Sequence, residues 1–262
     1  MLLAIDIGNT NIEAGVLSFK AGEIKILKEV RFHTRQNITS DELGIFLLNF
    51  LSINQIDRYK IKSLIYSSVV LPLNRIVEDM FSTFFNENIL KVSTSNNLKM
   101  GITNSYKNPR EVGADRLVNA SAVYNIYKKD AIVVDMGTAT TIDVVAKDGR
   151  YLGGTIFPGI ATATQALKEK TSRLPSIDIC YCDRLLTDDT LSAIESGVYF
   201  SNYYALKGMI ERIAEEAQFS DYIKIATGGI SKIFLKSGLF DFIDDVLPLK
   251  GLKIIFDLNN VQ

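Results

Sequence analysis

Two short segments of the sequence place an aspartate at the end of an apolar run, directly before a glycine turn. In DIGNTN, Asp6 precedes Gly8 and three polar residues, and in DMGTATT, Asp135 precedes Gly137 and three threonines. Backbone N–H groups of such turns form concavities that bind phosphate oxygens. The carboxylate itself repels phosphate, so its expected partner is a cation that bridges phosphates. Each segment alone is equally compatible with an ordinary hairpin turn.

The two segments belong to an approximate internal repeat. A shift of 129 positions, about half of the 262-residue chain, superposes Asp6 on Asp135 and Gly8 on Gly137. In both copies a run rich in apolar and β-branched residues leads into the turn, and a second run follows it, which is typical of two buried strands. A repeat of this length predicts two related lobes with a cleft between them. Two copies favour the phosphate-binding interpretation over the plain turn.

Helix signals follow the strands in both halves, which predicts an α/β fold with mostly buried sheets. A capping pattern at Ser40-Asp41-Glu42 begins one helix, and Pro72 fits the first turn of another that runs to about Phe84. The remaining predicted elements are a helix from Gly113 through Tyr127, strands near 131–135, 140–146 and 151–157, helices from Gly159 and over Thr190–Ala217, the strand YIKIA, and a further helix after Thr227-Gly228-Gly229.

Two more segments carry side chains or backbone suited to chemistry. In ATGGIS, Gly228 and Gly229 allow the backbone to approach a planar ring or a ribose closely, because glycine has no Cβ. In VGADR, Asp115 lies in the first turn of a predicted helix, where it is either a capping carboxylate or a general base that takes a proton from an alcohol. Arg116 could neutralise a phosphate or a substrate carboxylate.

Composition excludes several classes of function. The 29 basic and 30 acidic residues nearly cancel, which disfavours a nucleic-acid-binding protein. The longest uncharged run, Tyr151–Leu167, is too short and too polar to span a membrane, and the start MLLAID lacks the basic residues of a signal peptide. Cys180 and Cys182 lack a second cysteine pair, so reduced thiols in a cytoplasmic protein are expected. The single histidine, His33, is expected to be an ordinary surface residue.

Six motifs occur in a fixed order along the chain. They are DIGNTN, SSVV-x-P, Y-x-x-P-x-x-V-G-A-D-R, D-x-G-T-A-x-T, GG-x-I-x-P-G and TGGI. This combination resembles the type III pantothenate kinases over nearly the whole chain. The resemblance implies the acetate and sugar kinase, Hsp70 and actin superfamily, with duplicated ribonuclease H-like (actin-like ATPase) lobes, here expected at residues 1–112 and 113–262. It also implies phosphorylation of pantothenate by ATP, the first step toward coenzyme A.

The resemblance further implies roles for matching positions. Asp6 would position Mg²⁺, Asp135 would help bind a monovalent cation, K⁺ or NH₄⁺, and Asp115 would take the proton from the pantothenate hydroxyl. Family members are homodimers whose pocket is completed near the subunit interface. The implied ATP-binding residues are Asp6, Ile7, Gly8, Asn9, Thr10, Asn11, Ile12, Glu13, Thr138, Gly228 and Gly229, and the implied pantothenate-binding residues are Tyr106, Gly113, Ala114, Asp115, Arg116 and Thr190.

Three alternatives remain open at this point. The first is another small-molecule kinase of the same superfamily, acting on a sugar or a carboxylate; the segment from Tyr106 to Arg116 favours pantothenate over these. The second is a non-catalytic nucleotide-dependent regulator, which would be expected to have lost Asp6, Asp115 or Asp135, all of which are present. The third is an actin-like filament protein, for which the chain is short.

Overall fold

The computed structural model describes residues 1–85, 88–94, 97–172 and 174–260. The strands are β1 (Leu2–Ile7), β2 (Asn11–Leu17), β3 (Ile26–His33), β4 (Ser63–Ser68), β5 (Ile89–Lys91), β6 (Thr103–Asn104), β7 (Asp130–Met136), β8 (Ala139–Val145), β9 (Arg150–Pro158), β10 (Tyr222–Thr227) and β11 (Phe242–Ile243). The helices are α1 (Ser40–Ile53), α2 (Leu71–Phe84), α3 (Ala114–Tyr127), α4 (Ile160–Lys170), α5 (Thr190–Ala217) and α6 (Leu247–Asn260).

The chain forms two compact units. The first comprises Met1–Tyr127 together with the C-terminal segment from Leu247, and the second comprises Lys128–Val246. This division differs from the boundary after residue 112 that the sequence predicts. The reason is packing: α3 and α6 contact each other extensively, and their apolar residues Val118, Leu252 and Ile255 share a core with β1.

The first unit is built on a five-stranded sheet with the order β3-β2-β1-β4-β5. The pairs β1–β2 and β2–β3 are antiparallel, whereas β1–β4 and β4–β5 are parallel. Successive side chains of a strand point to opposite faces. Leu3, Ile5 and Ile7 therefore pack with α1 and α2, and Leu2 and Ala4 pack with α3 and α6. Asp6 continues the second series, so its carboxylate lies on the face that α3 covers.

The second unit repeats this arrangement. Its strands neighbour one another in the order β9, β8, β7, β10, β11, with β7–β8 and β8–β9 antiparallel and β7–β10 and β10–β11 parallel. One face of β7 packs against α5 through Ile132, Val134 and Met136, whose core also contains Tyr199 and Leu206. Asp135 belongs to the opposite series and points to the other face.

The predicted repeat is confirmed at the level of single residues. Residues 2–7 of β1 and residues 131–136 of β7 have the same sequence of buried and half-buried positions, and so do β2 and β8 along their whole lengths. Because a shift of one residue would turn every side chain to the opposite face, this agreement fixes equivalent faces in the two hairpins. Equivalent positions can therefore be compared directly.

Most predicted elements agree with the structure, with three differences. Thr39, one residue before the predicted start, caps α1: its hydroxyl accepts from the N–H of Glu42, whose carboxylate accepts from the Thr39 N–H. The further helix predicted after Gly229 is wrong, since the chain forms only a 3₁₀ turn at Ser231–Phe234 before α6 begins at Leu247. The sequence prediction did not identify α6.

Candidate functional site

The first hairpin presents an exposed tip held from behind by hydrogen bonds. The three residues Gly8, Asn9 and Thr10 connect β1 to β2, and Asn9 and Thr10 are exposed. The Gly8 N–H donates to the Asn11 carbonyl at 3.0 Å. On the β3 side, the Thr34 hydroxyl donates to the Gly8 carbonyl at 2.7 Å, and its N–H donates to the Thr10 carbonyl at 2.8 Å. The tip carbonyls are thus engaged within the protein.

Asp6 lies directly behind this tip in a negatively charged environment. Its partner across the antiparallel pair is Glu13, and its partner on β4 is Ser67, whose hydroxyl donates to Asp6 Oδ1 at 2.5 Å. Burial raises the pKa of Asp6 to about 7, and the charges of Asp115 and Glu13 act in the same direction. The Ser67 hydrogen bond and the Arg31 guanidinium, which pairs with Glu13, oppose this increase. Such a carboxylate gains stability when a cation joins it.

Asp115 lies in the first turn of α3, as predicted, and belongs to the same unit as Asp6. Burial raises its pKa, although the Arg116 N–H, donating to Oδ1 at 2.8 Å, and the Arg116 charge act against that change. The carboxylate lies against Gly113, where a side chain would collide with it. Its charge reaches Asp6 because Asp6 points to the face that α3 covers. The two carboxylates therefore form one acidic group within the first unit.

The second hairpin has the same design with a two-residue tip, Gly137 and Thr138. The Gly137 N–H donates to the Ala139 carbonyl at 3.0 Å. The Thr138 carbonyl accepts from the Gly159 N–H at 3.1 Å and from the Thr162 hydroxyl at 2.6 Å. Both tip residues are exposed. Here too a tip carbonyl, that of Thr138, is engaged within the protein.

Asp135 stands between two hydroxyl-bearing strand partners. It is opposite Thr141 on β8 and opposite Thr227 on β10. The Thr227 hydroxyl is fully buried and has no hydrogen-bond partner among the described residues. Gly228 follows with a φ of +89°, and a Cβ there would lie 2.7 Å from Asp135 Oδ1. A carboxylate beside a buried hydroxyl without a partner fits a bound cation, because hard cations take oxygen ligands.

The other predicted residues are distributed over both units. The first unit holds Tyr106, whose N–H donates to Asn104 Oδ1 at 3.0 Å, and the buried Arg116. The second unit holds the exposed Thr190, the first residue of α5, and Gly229, exposed after β10. His33 is exposed at the end of the edge strand β3, as predicted.

The acidic group of the first unit suits a divalent cation that arrives with its nucleotide. Among residues 1–85, 88–94, 97–172 and 174–260, no group of three or more His, Cys, Asp or Glu side chains is placed to hold a metal. Mg²⁺ typically needs only one or two carboxylates, with water and substrate phosphates as its other ligands. Asp6, half-buried and close to like charges, meets that requirement.

Sequence reasoning missed several residues that shape these sites. Ser67 stands within the SSVV motif, but only the strand register places it beside Asp6. Thr34 and Thr162 support the two hairpin tips from positions that no sequence motif marks. Asp143 is fully buried on β8 two residues beyond Thr141, and its alternation with Thr141 is the one signal that could have identified it.

The sequence model of type III pantothenate kinases matches residues 2–213 of this chain. A type III pantothenate kinase of Dehalococcoides mccartyi is 38% identical over 261 residues, covering 99% of this chain and 97% of the relative. One of Syntrophus aciditrophicus is 38% identical, covering 99% and 100%, and one of Listeria monocytogenes is 37% identical, covering 99% and 98%. The chain belongs to the type III pantothenate kinase family. Membership confirms the predicted family and makes the protein an ATP-dependent kinase.

Solved structures confirm the fold. A conserved putative Baf family transcriptional activator from Campylobacter jejuni aligns with a TM-score of 0.60 at 22% identity, covering 97% of this chain and 96% of that one. A putative 2-dehydro-3-deoxygalactonokinase from Sinorhizobium meliloti aligns with a TM-score of 0.54 at 11% identity, covering 98% and 96%. The type III pantothenate kinase chain thus has the predicted duplicated actin-like α/β fold. In the part of the chain that the structure describes, no helix has the length and apolar character needed to cross a bilayer.

Proposed function

We propose that this protein transfers the γ-phosphoryl group of ATP to the terminal hydroxyl of pantothenate, with Asp115 as the general base. The observation that carries the mechanism is that two half-buried carboxylates of one unit, Asp6 and Asp115, each have a raised pKa, and that the charge of Asp115 contributes to the raised pKa of Asp6. One is suited to a metal-bound phosphate and the other to the alcohol that attacks it. Family membership supports the substrate pair.

Asp115 has the properties of a general base for alcohol attack. Burial raises its pKa toward the operating pH, and a stronger base takes a proton more effectively. Its hydrogen bond from the Arg116 N–H at 2.8 Å holds the carboxylate in one orientation. As the pantothenate oxygen bonds to the γ-phosphorus, its proton passes to the Asp115 carboxylate, and the bond to the ADP leaving oxygen breaks.

The two hairpins divide the remaining tasks. Asp6, behind Gly8–Thr10, would hold Mg²⁺, which neutralises charge on the transferring phosphate. In the second unit, Asp135 would hold the monovalent cation, K⁺ or NH₄⁺, supported by the buried hydroxyl of Thr227 beside it. Ile7 to Glu13 and Thr138 would contact ATP phosphates, and Gly228 and Gly229 would lie against the adenosine.

The remaining assignments follow family membership. Tyr106, Gly113, Ala114, Arg116 and Thr190 would line the pantothenate pocket. A homodimer and a cytoplasmic location, both expected from the sequence, remain predictions. Gel filtration with light scattering would test the dimer.

A coupled ADP-release assay tests the activity. With ATP and Mg²⁺, release should depend on pantothenate and stay at background with sugars or with no acceptor. Asp115→Asn should lower kcat about 10²- to 10⁴-fold, the usual contribution of general-base catalysis, while the Kd of an ATP analogue stays within about twofold. Release of ADP without pantothenate would contradict the substrate assignment.

The matched control is Asp41→Asn. Asp41 is also a first-turn helix carboxylate, but it lies exposed on α1. Its variant should keep full kcat. Equal turnover by Asp115→Asn and the original protein would refute the base assignment without affecting the substrate assignment.

A further inference from the structure

A buried carboxylate on β8 is outside the roles proposed above. Asp143 is fully buried, and each of its carboxylate oxygens accepts a hydrogen bond from a hydroxyl group. The Tyr151 hydroxyl donates to Oδ1 at 2.7 Å, and the Thr141 hydroxyl donates to Oδ2 at 3.0 Å. A carboxylate so deep in a sheet is costly to bury unless it is satisfied in this way. Its position is therefore tied to the two hydroxyl groups.

Thr141 connects this carboxylate to the second hairpin. It is the cross-strand partner of Asp135, so the two side chains share one face, with Cβ atoms about 4.5–5.5 Å apart. A hydroxyl has one proton to donate. The Thr141 hydroxyl donates its hydrogen bond to Asp143. On the side of Asp135, the Thr141 oxygen therefore presents only lone pairs.

In the first hairpin the aspartate itself receives a hydroxyl hydrogen bond, from the position on β4 that corresponds to Thr227 on β10. There Ser67 donates its hydroxyl proton to Asp6 itself at 2.5 Å. A donated proton neutralises part of the carboxylate charge and occupies a ligand position. In the second hairpin, the Thr141 hydroxyl donates to Asp143 instead. This hydroxyl therefore does not compete with a cation for the oxygens of Asp135.

We propose that Asp143 is a positioning residue: by accepting the Thr141 proton, it keeps Thr141 as an oxygen acceptor beside Asp135 and so sets the affinity for a monovalent cation there. The proposal rests on the proposed cation role of Asp135. In Asp143→Asn, the amide would donate to the Thr141 oxygen, and the Thr141 proton would turn toward Asp135. Asp135 would then receive a hydroxyl hydrogen bond, as Asp6 does from Ser67, although from the other neighbouring strand.

The experiment measures cation binding in two ways on the full chain. The first is the midpoint of thermal unfolding with MgADP at rising KCl, with ionic strength held constant by tetramethylammonium chloride. The second is the half-activating K⁺ concentration in the ADP-release assay. Asp143→Asn and Thr141→Val should each raise the half-saturating K⁺ concentration by about 10- to 100-fold, the usual effect of losing a ligand's hydrogen-bond partner. The KM for pantothenate should stay within about twofold.

Two controls separate positioning from general loosening. Tyr151→Phe removes the other hydrogen bond to Asp143 but leaves the Thr141 proton in place, so it should lower the unfolding midpoint and keep the K⁺ response. Thr141→Ser retains the hydroxyl and should also keep that response. If Asp143→Asn fails to fold, Thr141→Val carries the test.

The outcomes distinguish a failure of the cation role of Asp135 from a failure of the positioning role of Asp143. If the original protein shows no K⁺ response, or if Asp135→Asn keeps it, the proposed cation role of Asp135 fails. If that role holds but Thr141→Val and Asp143→Asn respond to K⁺ like the original protein, the positioning role of Asp143 is refuted. If Tyr151→Phe weakened K⁺ binding as much as Asp143→Asn does, the positioning role would also be refuted. The loss of K⁺ affinity would then not depend on the hydrogen bond from Thr141 to Asp143.

Discussion

The two hairpins share a backbone design but differ in the groups that surround their aspartates. Asp6 faces an acid, Glu13, on one side and a proton donor, Ser67, on the other. Asp135 faces Thr141 and Thr227 at the same two strand positions. The order of the five strands and the directions of their pairing agree in the two units, and the burial patterns of the two hairpins match. Two side-chain positions thus distinguish an aspartate that faces a second acid directly from an aspartate whose direct strand partners are neutral hydroxyl groups.

If Asp6 and Asp135 have the cation roles proposed above, this difference would explain how one duplicated scaffold serves two kinds of cation. Like charges around Asp6 favour a divalent ion, since each additional charge on the ion is matched by a nearby carboxylate. Around Asp135 the direct partners on the two flanking strands are the neutral Thr141 and Thr227, and Asp143 on β8 is engaged by two hydroxyl groups, which would suit a single positive charge. The backbone places an aspartate behind a glycine tip, and the flanking strands determine which side chains surround that aspartate.

The largest expected difference between the two hairpins is in catalysis, when Asp6 or Asp135 is replaced by asparagine. Asp6→Asn should lower kcat/KM for ATP by roughly 10³-fold, because electrostatic stabilisation of the transferring phosphate is lost. Asp135→Asn should lower it by about 10- to 100-fold, chiefly through weaker cation binding. Steady-state kinetics at varied Mg²⁺ and K⁺ check this. Equal losses, or a Mg²⁺ requirement that shifts only in Asp135→Asn, would overturn the assignment.

The sequence predicts the scaffold of these sites well, because their strands are buried on both faces and punctuated by glycine. The repeat that superposes Asp6 on Asp135 corresponds to equivalent faces in the structure. The long helix over Thr190–Ala217 is also as predicted, and a capping aspartate at position 189 begins it.

What surrounds each aspartate is harder to predict, because it depends on pairing between distant strands. Ser67 reaches Asp6 only through the parallel pair β1–β4, and Thr227 reaches Asp135 only through β7–β10. Helix α6 escaped prediction since Lys253, buried within it and paired with Asp257, breaks the apolar pattern. Its return to the first unit is likewise a long-range contact that no local motif encodes.

The raised pKa of Asp6 predicts that stability changes with pH. The pKa is about 7 in the folded state, above the usual value near 3.9 in an unfolded chain, so the folded state binds the proton more tightly. Its stabilising contribution is complete below pH about 4 and is lost as pH rises through about 7. Without Mg²⁺ and nucleotide, the free energy of unfolding should therefore fall relative to Asp6→Asn by about 2–4 kcal/mol over this range.

Urea unfolding of both proteins between pH 4.5 and 8 measures this difference. Mg²⁺ with an ATP analogue provides the control, because ligands that bind the charged form stabilise it and should reverse the trend. A difference between the two proteins that stays constant with pH would show that Asp6 does not titrate in this range.

Replacing a glycine by alanine should destabilise the second hairpin more than the first, because the second is more tightly packed around its glycine. At Gly159, a Cβ would overlap the Gly137 carbonyl oxygen and lie 2.6 Å from that of Thr138, so the second tip would have to move. At Gly8, a Cβ would lie 3.1 Å from the Asn11 carbonyl oxygen, which requires only a small adjustment. Gly159→Ala should cost about 1–3 kcal/mol, the usual range for overpacking, and weaken ATP binding. Gly8→Ala should change stability by less than about 1 kcal/mol. Chemical unfolding and nucleotide titration test both, and the reverse order would contradict the packing comparison.

The smallest expected difference concerns the threonines that hold the two tips. Thr34 donates to the Gly8 carbonyl at 2.7 Å and is half-buried, whereas Thr162 donates to the Thr138 carbonyl at 2.6 Å and is exposed. Water can replace a lost donor more easily at an exposed carbonyl, so Thr34→Val should cost about 1 kcal/mol and Thr162→Val about half of that. Thr34→Ser and Thr162→Ser keep the hydroxyl and serve as matched controls in urea unfolding. If Thr162→Val cost more than Thr34→Val, the second tip would depend on its supporting threonine more than the first, and solvent exposure would not govern the difference.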